Sequence, residues 1–264
     1  MRRIAFINEK GGTCKTTLAV NTAAWLARER GLKVLLVDLD TQGHSGKSLG
    51  LDVRTLKPNV FHLLTDAGVR LEDVARPTHV EGLSVVPAYK EMADFPLEVA
   101  PDARRAHRLA DRLAAAEGLG YDVVLFDAPP SLGITTRNIL VAASEVVVPV
   151  ALTYFALDGC AEVVETVKKV AEEEGRSELR VTRVVPTLYR KTALATAILE
   201  RLGTYFPDSL ATPLGFNVKV DEAQSHGQTI WEYAPRSKGA QMLATIAAEI
   251  YGPARSGART SRVA

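Results

Sequence analysis

The sequence predicts an α/β fold, a single doubly wound, mostly parallel β-sheet with helices on both faces. Three observations carry this expectation. Short runs such as Val34–Val37, Val123–Phe126 and Val146–Val150 are apolar at every position, the pattern of strands covered on both sides. Segments with helical spacing of apolar residues fall between them. A glycine-rich turn, Lys10-Gly11-Gly12-Thr13-Cys14, joins the first strand to the first helix, as expected at the start of a βαβ unit.

Ile4–Asn8 is the first strand. In Thr16–Arg30, apolar residues at Leu18, Val20, Ala23, Ala24, Leu26 and Ala27 recur at helical spacing, and Gly31 closes the helix. Val34–Val37 is the second strand. Residues 52–100 are less regular, with a helical turn at Phe61–Thr65 and a strand at Leu83–Pro87. Ala103–Glu117 reads as an amphipathic helix rich in Arg and Ala. The strands Val123–Phe126, Val146–Val150 and Leu179–Val185 come next, with a helix at Leu157–Glu174 between the last two. Ala193–Leu202 is a further helix, and Pro235 leads into the final one, Lys238–Tyr251. No repeat or linker divides the chain. Residues 1–251 are therefore expected to form one domain, and the Gly-, Ser- and Arg-rich residues 252–264 a disordered basic tail.

Composition narrows the function classes. With 264 residues, 47% hydrophobic and 24% charged, the chain can bury a sizeable core. Its formal net charge is +1, so any contact with nucleic acid must come from a local patch. Cys14 and Cys160 offer neither a CxxC pair nor a disulfide framework, which fits the cytosol. The histidines show no metal-ligand spacing. Arg2-Arg3 precede an apolar run too short for a secretory leader. No run approaches the ~18 apolar residues of a membrane span, and the tail lacks the apolar face of a surface anchor.

The chemistry is concentrated at three places. Backbone N–H groups of the turn at residues 10–14, with the helix end behind them, form a cradle for phosphate. Lys15 then reaches β- and γ-phosphates, and the Thr16 hydroxyl reaches Mg²⁺. Val123-Val124-Leu125-Phe126-Asp127 ends a strand in a carboxylate that can join Thr16 at the metal. Val37-Asp38-Leu39-Asp40 brings two more carboxylates to the same end of the sheet, one able to orient water and the other to support the metal shell.

Read together, these residues resemble the deviant P-loop ATPases of the ParA/Soj type, which are related to MinD. The likeness rests on Lys10-Gly11-Gly12-x-x-Lys15-Thr16-Thr17, on Val37 to Gly43 and on Asp127 to Gly133. Tyr154 to Gly159, Glu222 to Gly227 and Tyr233 to Ala240 are similar to later blocks of that family. It covers nearly the whole chain, weakest across 52–105.

The resemblance implies a P-loop NTPase fold, ATP and Mg²⁺ as ligands, and slow hydrolysis. Two copies would sandwich two ATP molecules, with Lys10 of each crossing to the partner's phosphates. Residues 10–17 (Lys10, Gly11, Gly12, Thr13, Cys14, Lys15, Thr16 and Thr17) would hold nucleotide, Thr16 and Asp127 the metal, and Asp40 the attacking water. Phe216 and Asn217 fall near the base. The ATP dimer would bind double-stranded DNA without sequence preference through Arg190, Lys191, Lys219, Arg236 and Lys238. Hydrolysis would be stimulated by a centromere-binding, ParB-like partner, at a cytoplasmic, nucleoid-associated location and with no membrane contact. The alternative within the family is a positioner of protein cargo at a chemosensory array, flagellar pole or division site.

Several positions depart from the family pattern. Cys14 stands where most relatives carry glycine. As the first residue of a helix it is expected to need only negative φ, and so to leave ATP binding intact. A sharper reading makes it an oxidisable thiol, its pKa lowered by the helix N-terminus and Lys15. Thr41 replaces a usual proline, His44 a usual asparagine, and Leu214-Gly215-Phe216-Asn217 a common Ile-Pro-Arg-Asn stretch.

Overall fold

The computed structural model describes residues 1–252, so the predicted tail lies almost wholly outside the described residues. The chain runs β1 (Arg2–Phe6), α1 (Lys15–Arg30), β2 (Val34–Asp38), α2 (His44–Ser48), α3 (Val60–Thr65), α4 (Leu71–Val74), β3 (Arg76–Pro77) and β4 (Leu83–Val86). It continues α5 (Phe95–Glu98), α6 (Arg108–Ala115), β5 (Val123–Asp127), α7 (Ile134–Ala142), β6 (Glu145–Ala151), α8 (Ala156–Glu173) and β7 (Arg180–Thr187). The last elements are α9 (Ala193–Tyr205), α10 (Val218–Ser225), α11 (Ile230–Tyr233) and α12 (Lys238–Tyr251).

The strands form one sheet in the order β3-β4-β2-β5-β1-β6-β7, parallel except for β3. Alternate strand residues feed two cores. Ile4, Phe6, Leu36 and Leu125 pack with α1 and α12 on one face, and Ala5, Ile7, Leu35 and Phe126 with α6, α7 and α8 on the other. Every residue of β2 and β5 is buried, which is why both are apolar without alternation up to the aspartate that ends each. Each fully buried Leu, Ile or Phe in these layers contributes about 1.5–3 kcal/mol.

Both margins of the sheet are covered. Two-residue β3, which includes Pro77, pairs antiparallel with β4. Beyond β7, the Val184 N–H donates to the Ser209 carbonyl at 2.8 Å and the Ala211 N–H to the Val184 carbonyl at 2.9 Å. The chain leaves β1 toward β2 and leaves β5 toward β6, in opposite directions along the sheet. A crevice therefore opens at the carboxyl ends of these two neighbours.

The predicted final helix has the observed bounds, whereas the predicted helix at 103–117 is regular only from Arg108 to Ala115. Residues before it are held in turns by Asp102, whose carboxylate accepts from the Arg104 N–H and from Arg108. Helices α7 and α10 and strand β3 are elements that the sequence pattern does not predict.

Candidate functional site

The loop between β1 and α1 is anchored by Asn8. Its amide donates to the Pro149 carbonyl at 2.7 Å and its Oδ1 accepts from the Lys10 N–H at 2.9 Å. From the other side, the Thr187 hydroxyl donates to the Thr13 carbonyl at 3.2 Å. Gly11 and Gly12 are exposed, and a Cβ at either would meet no atom of the described residues within 4 Å. Gly12 has φ +72, which a side chain would strain. The result is a backbone cradle open to a ligand. Lys15 is only 7% exposed and its ammonium donates to the Lys10 carbonyl at 3.1 Å, spanning the loop from within. Burial lowers its pKa, while Asp127 and Asp40 act to keep it charged.

Cys14 corrects two expectations. It precedes the helix, which begins at Lys15, and it is left-handed, with φ 65 and ψ 28. The loop must turn into α1 at this residue, the conformation that glycine takes without penalty. The thiol, moreover, is pushed up to about 11, chiefly by burial, so it is not activated for oxidation. Cys14→Gly is expected to stabilise the nucleotide-free protein by about 0.5–1 kcal/mol, the relieved strain being partly offset by a more flexible unfolded chain. Urea unfolding checks this, and slow alkylation of Cys14 at neutral pH checks the thiol.

Asp127 and Asp38 lie side by side at the ends of β5 and β2, both wholly buried. Asp127 Oδ2 accepts from the Thr16 hydroxyl at 2.7 Å and from the Ser45 hydroxyl at 2.9 Å. Its other oxygen, Oδ1, is buried with no hydrogen-bond partner among the described residues. A carboxylate so placed, flanked by two hydroxyls, fits a hard divalent cation such as Mg²⁺. Burial raises Asp127 to about 6, against the Thr16 and Ser45 hydroxyls and Lys15. Asp38 is raised well above the carboxylate range by burial and by Asp127.

Asp38 is committed to the backbone. It accepts from the Asp40 N–H and from the Ser45 N–H, both at 3.0 Å, and so fastens the start of α2 beneath the crevice. Asp40, half-buried in the loop past β2, accepts from the Gln42 N–H at 3.1 Å and lines the cleft. The two aspartates that the sequence brings to the same end of the sheet thus do different work.

The cleft has a volume of about 700 Å³ and is lined by residues 11–17 and Asp40. Asp127 lies under it, reached through Thr16. Lys10 is not brought to it, because its ammonium binds the Phe155 carbonyl at the start of α8. Phe216 and Asn217 line a small adjoining slot with Cys14 and Thr17. Asn217 also caps α10 through the Lys219 N–H.

Ser45 and Gln224 were missed in the sequence. The Gln224 amide donates to the Thr17 hydroxyl at 3.1 Å. The one local signal for Ser45 was the turn at Gly43, which opens a helix at the next residue.

The five predicted basic residues are exposed and sit on neighbouring element ends. The Arg190 guanidinium lies 4.5 Å from the Phe216 ring centre. The Phe216 N–H donates to the Tyr189 carbonyl, and Gly239 of α12 packs on Asn217. Lys219 is paired with Glu222 at 2.7 Å. The segments that carry Arg190, Lys219 and Lys238 thereby meet around Phe216 and Asn217, with Lys191 and Arg236 close to them in the chain.

Comparison with known proteins agrees with this geometry. A family model described as an AAA domain matches residues 1–181. The chain is 40% identical to "Chromosome-partitioning ATPase Soj" of Thermus thermophilus over 95% of each chain. It is 37% identical to "Sporulation initiation inhibitor protein Soj" of Bacillus subtilis, covering 94% of this chain and 97% of that one. Among solved structures, cobyrinic acid a,c-diamide synthase of Mycobacterium smegmatis with bound ATP analog and magnesium superposes with a TM-score of 0.81. That protein is 30% identical, over 94% of this chain and 92% of its own. Likeness of this extent, on a fold whose crevice holds the phosphate loop and the aspartates that the sequence singled out, settles the family: the chain belongs to the ParA/Soj-type P-loop ATPases.

Proposed function

We propose that this ATPase is an ATP-gated dimerisation switch that binds DNA without sequence preference and segregates it with a centromere-binding partner. The observation that supports the gating is the shared carboxylate Asp127. Its Oδ2 holds Thr16 of the phosphate-loop helix and Ser45 of α2 at once, while Oδ1 stands free for a cation. A cation held at Oδ1 would draw charge from the carboxylate that both hydroxyls share, so nucleotide state would reach α2 through Ser45. Thr16 and Asp127 would hold Mg²⁺, which would supply charge neutralisation to the bound phosphates. Lys15 supports the same phosphates, and Asp40, on the cleft wall, orients water for slow hydrolysis. Lys10 would act across the interface on the second copy's nucleotide.

DNA binding is supported by the exposed basic residues gathered near α10 and α12, doubled in a dimer. Contacts to phosphate alone give steep salt dependence and no base readout. The test is retention on random-sequence DNA with ATP and with ADP. Retention is expected with ATP and little with ADP. Lys191→Ala and Lys219→Ala should each lower the salt slope by about one for every phosphate no longer neutralised. Lys219→Ala should weaken binding more, since it leaves the Glu222 carboxylate facing the phosphates. Equal retention with both nucleotides, or none at low salt, would remove the DNA reading and favour the protein-cargo positioner.

A further inference from the structure

Lys10 has a built resting place within its own chain. Its ammonium donates to the Phe155 carbonyl at 2.5 Å and lies 5.3 Å from the centre of the Phe155 ring. Its stem runs over Gly159, in the first turn of α8. A Cβ built on Gly159 would find Lys10 Cε, Cδ and Nζ as its three nearest atoms, at 3.2–3.4 Å. Glycine is among the worst residues for a helix interior, so a buried glycine here needs a reason. The lysine stem lying on its bare Cα supplies one.

The seat is also shallow. Phe155 and Tyr154 are 58% and 78% exposed, so solvent weakens the contacts. The Phe155 carbonyl is shared with the first helical bond, from the Gly159 N–H, which is long at 3.5 Å. An ammonium at a helix N-terminus faces the partial positive charge of the helix end. A phosphate oxygen offers full negative charge with no such opposition.

We propose that Gly159 and Phe155 are positioning residues for Lys10: they hold it in its own chain, and it must leave this seat before it can reach the nucleotide of a second copy. The first half stands on the geometry alone, and the second rests on the dimer reading above.

The test uses the full chain. Without nucleotide, acylation of Lys10 by an N-hydroxysuccinimide ester is followed by mass spectrometry, with Lys169, 74% exposed, as the internal reference. In Gly159→Ala the nearest obstacle to the added methyl is the flexible lysine, and alanine favours the helix, so the fold should hold. Lys10 should label severalfold faster, at an unchanged or raised melting midpoint. The ATP-dependent dimer should also form at lower protein concentration. Phe155→Ala, which removes the ring and keeps the carbonyl, should act in the same direction and more weakly.

Unchanged labelling of Lys10 in both variants would overturn the seat. Faster labelling with an unchanged dimerisation threshold would overturn its role in association. Absence of an ATP-dependent dimer in the wild type would sink the dimer reading instead, and labelling would still decide the seat.

Discussion

Lys15→Ala is expected to weaken ATP binding on the order of 10²- to 10³-fold, the loss typical when one member of a buried, hydrogen-bonded charge pair is removed. Position is what gives this residue its weight. Lys15 is nearly enclosed at the start of α1, and its ammonium is held over the loop by the Lys10 carbonyl. A triphosphate placed in the cradle would meet this cation with little water between, where its charge is least screened. Burial lowers the pKa of Lys15, and Asp127 and Asp40 oppose that effect. Titration calorimetry with Mg·ATP measures the change, and circular dichroism verifies the fold. Lys15→Arg should not rescue, because a planar five-donor fork cannot occupy the seat of a compact ammonium. An affinity within threefold of wild type would refute the assignment.

Asp127→Asn should move stability and activity in opposite directions. In metal-free protein the Asp127 carboxyl titrates near 6, raised chiefly by burial, against about 3.9 in an unfolded chain. Because the folded value is the higher one, the folded state binds the proton more tightly. The cost of this carboxylate is absent below about pH 4, grows as pH rises through 6, and is complete above it. It amounts to something on the order of 3 kcal/mol. Asparagine removes that cost while its carbonyl can still accept from Thr16 and Ser45. In EDTA the variant should therefore be more stable than wild type at pH 7.5, with the gap closing toward pH 4. Asp38, which Asp127 also raises, loses that part of its shift in the variant, a change in the same direction. Hydrolysis with Mg²⁺ should be lost. Urea midpoints across this range, together with phosphate release, decide it; a variant less stable than wild type at pH 7.5 would contradict a costly buried charge.

Legibility of the sequence followed the range of the forces involved. The strands Val34–Val37 and Val123–Phe126 were readable because burial on both faces writes an unbroken apolar run. Helix α7 was not, because enclosure on nearly all sides erases its amphipathic period. Even its Asn138 is buried, bonded to the Arg105 and Ile134 carbonyls and to the Leu109 N–H. Strand β3 offers two residues, one of them proline, too little for any pattern.

At the site, Lys15, Thr16 and Asp127 were legible, since the loop fixes the first two covalently and a strand end delivers the third. Ser45 depends on α2 being folded back over Asp38, which residue types alone do not announce. The backbone sign at Cys14 was misjudged for a related reason: one residue separates a helix's first turn from the bend before it, and composition does not say on which side the residue falls. The in-chain seat of Lys10 arises from a glycine in a helix distant in sequence.

The covered margins of the sheet bear on how copies of this protein can meet. A bare strand margin templates another strand, and repetition of that step grows a fibre without end. Pro77 offers no N–H to an incoming chain, and residues 209–211 already occupy the backbone of β7 at Val184. Strand-on-strand polymerisation is thereby closed at those positions on both sides, and any meeting of copies is left to other surfaces.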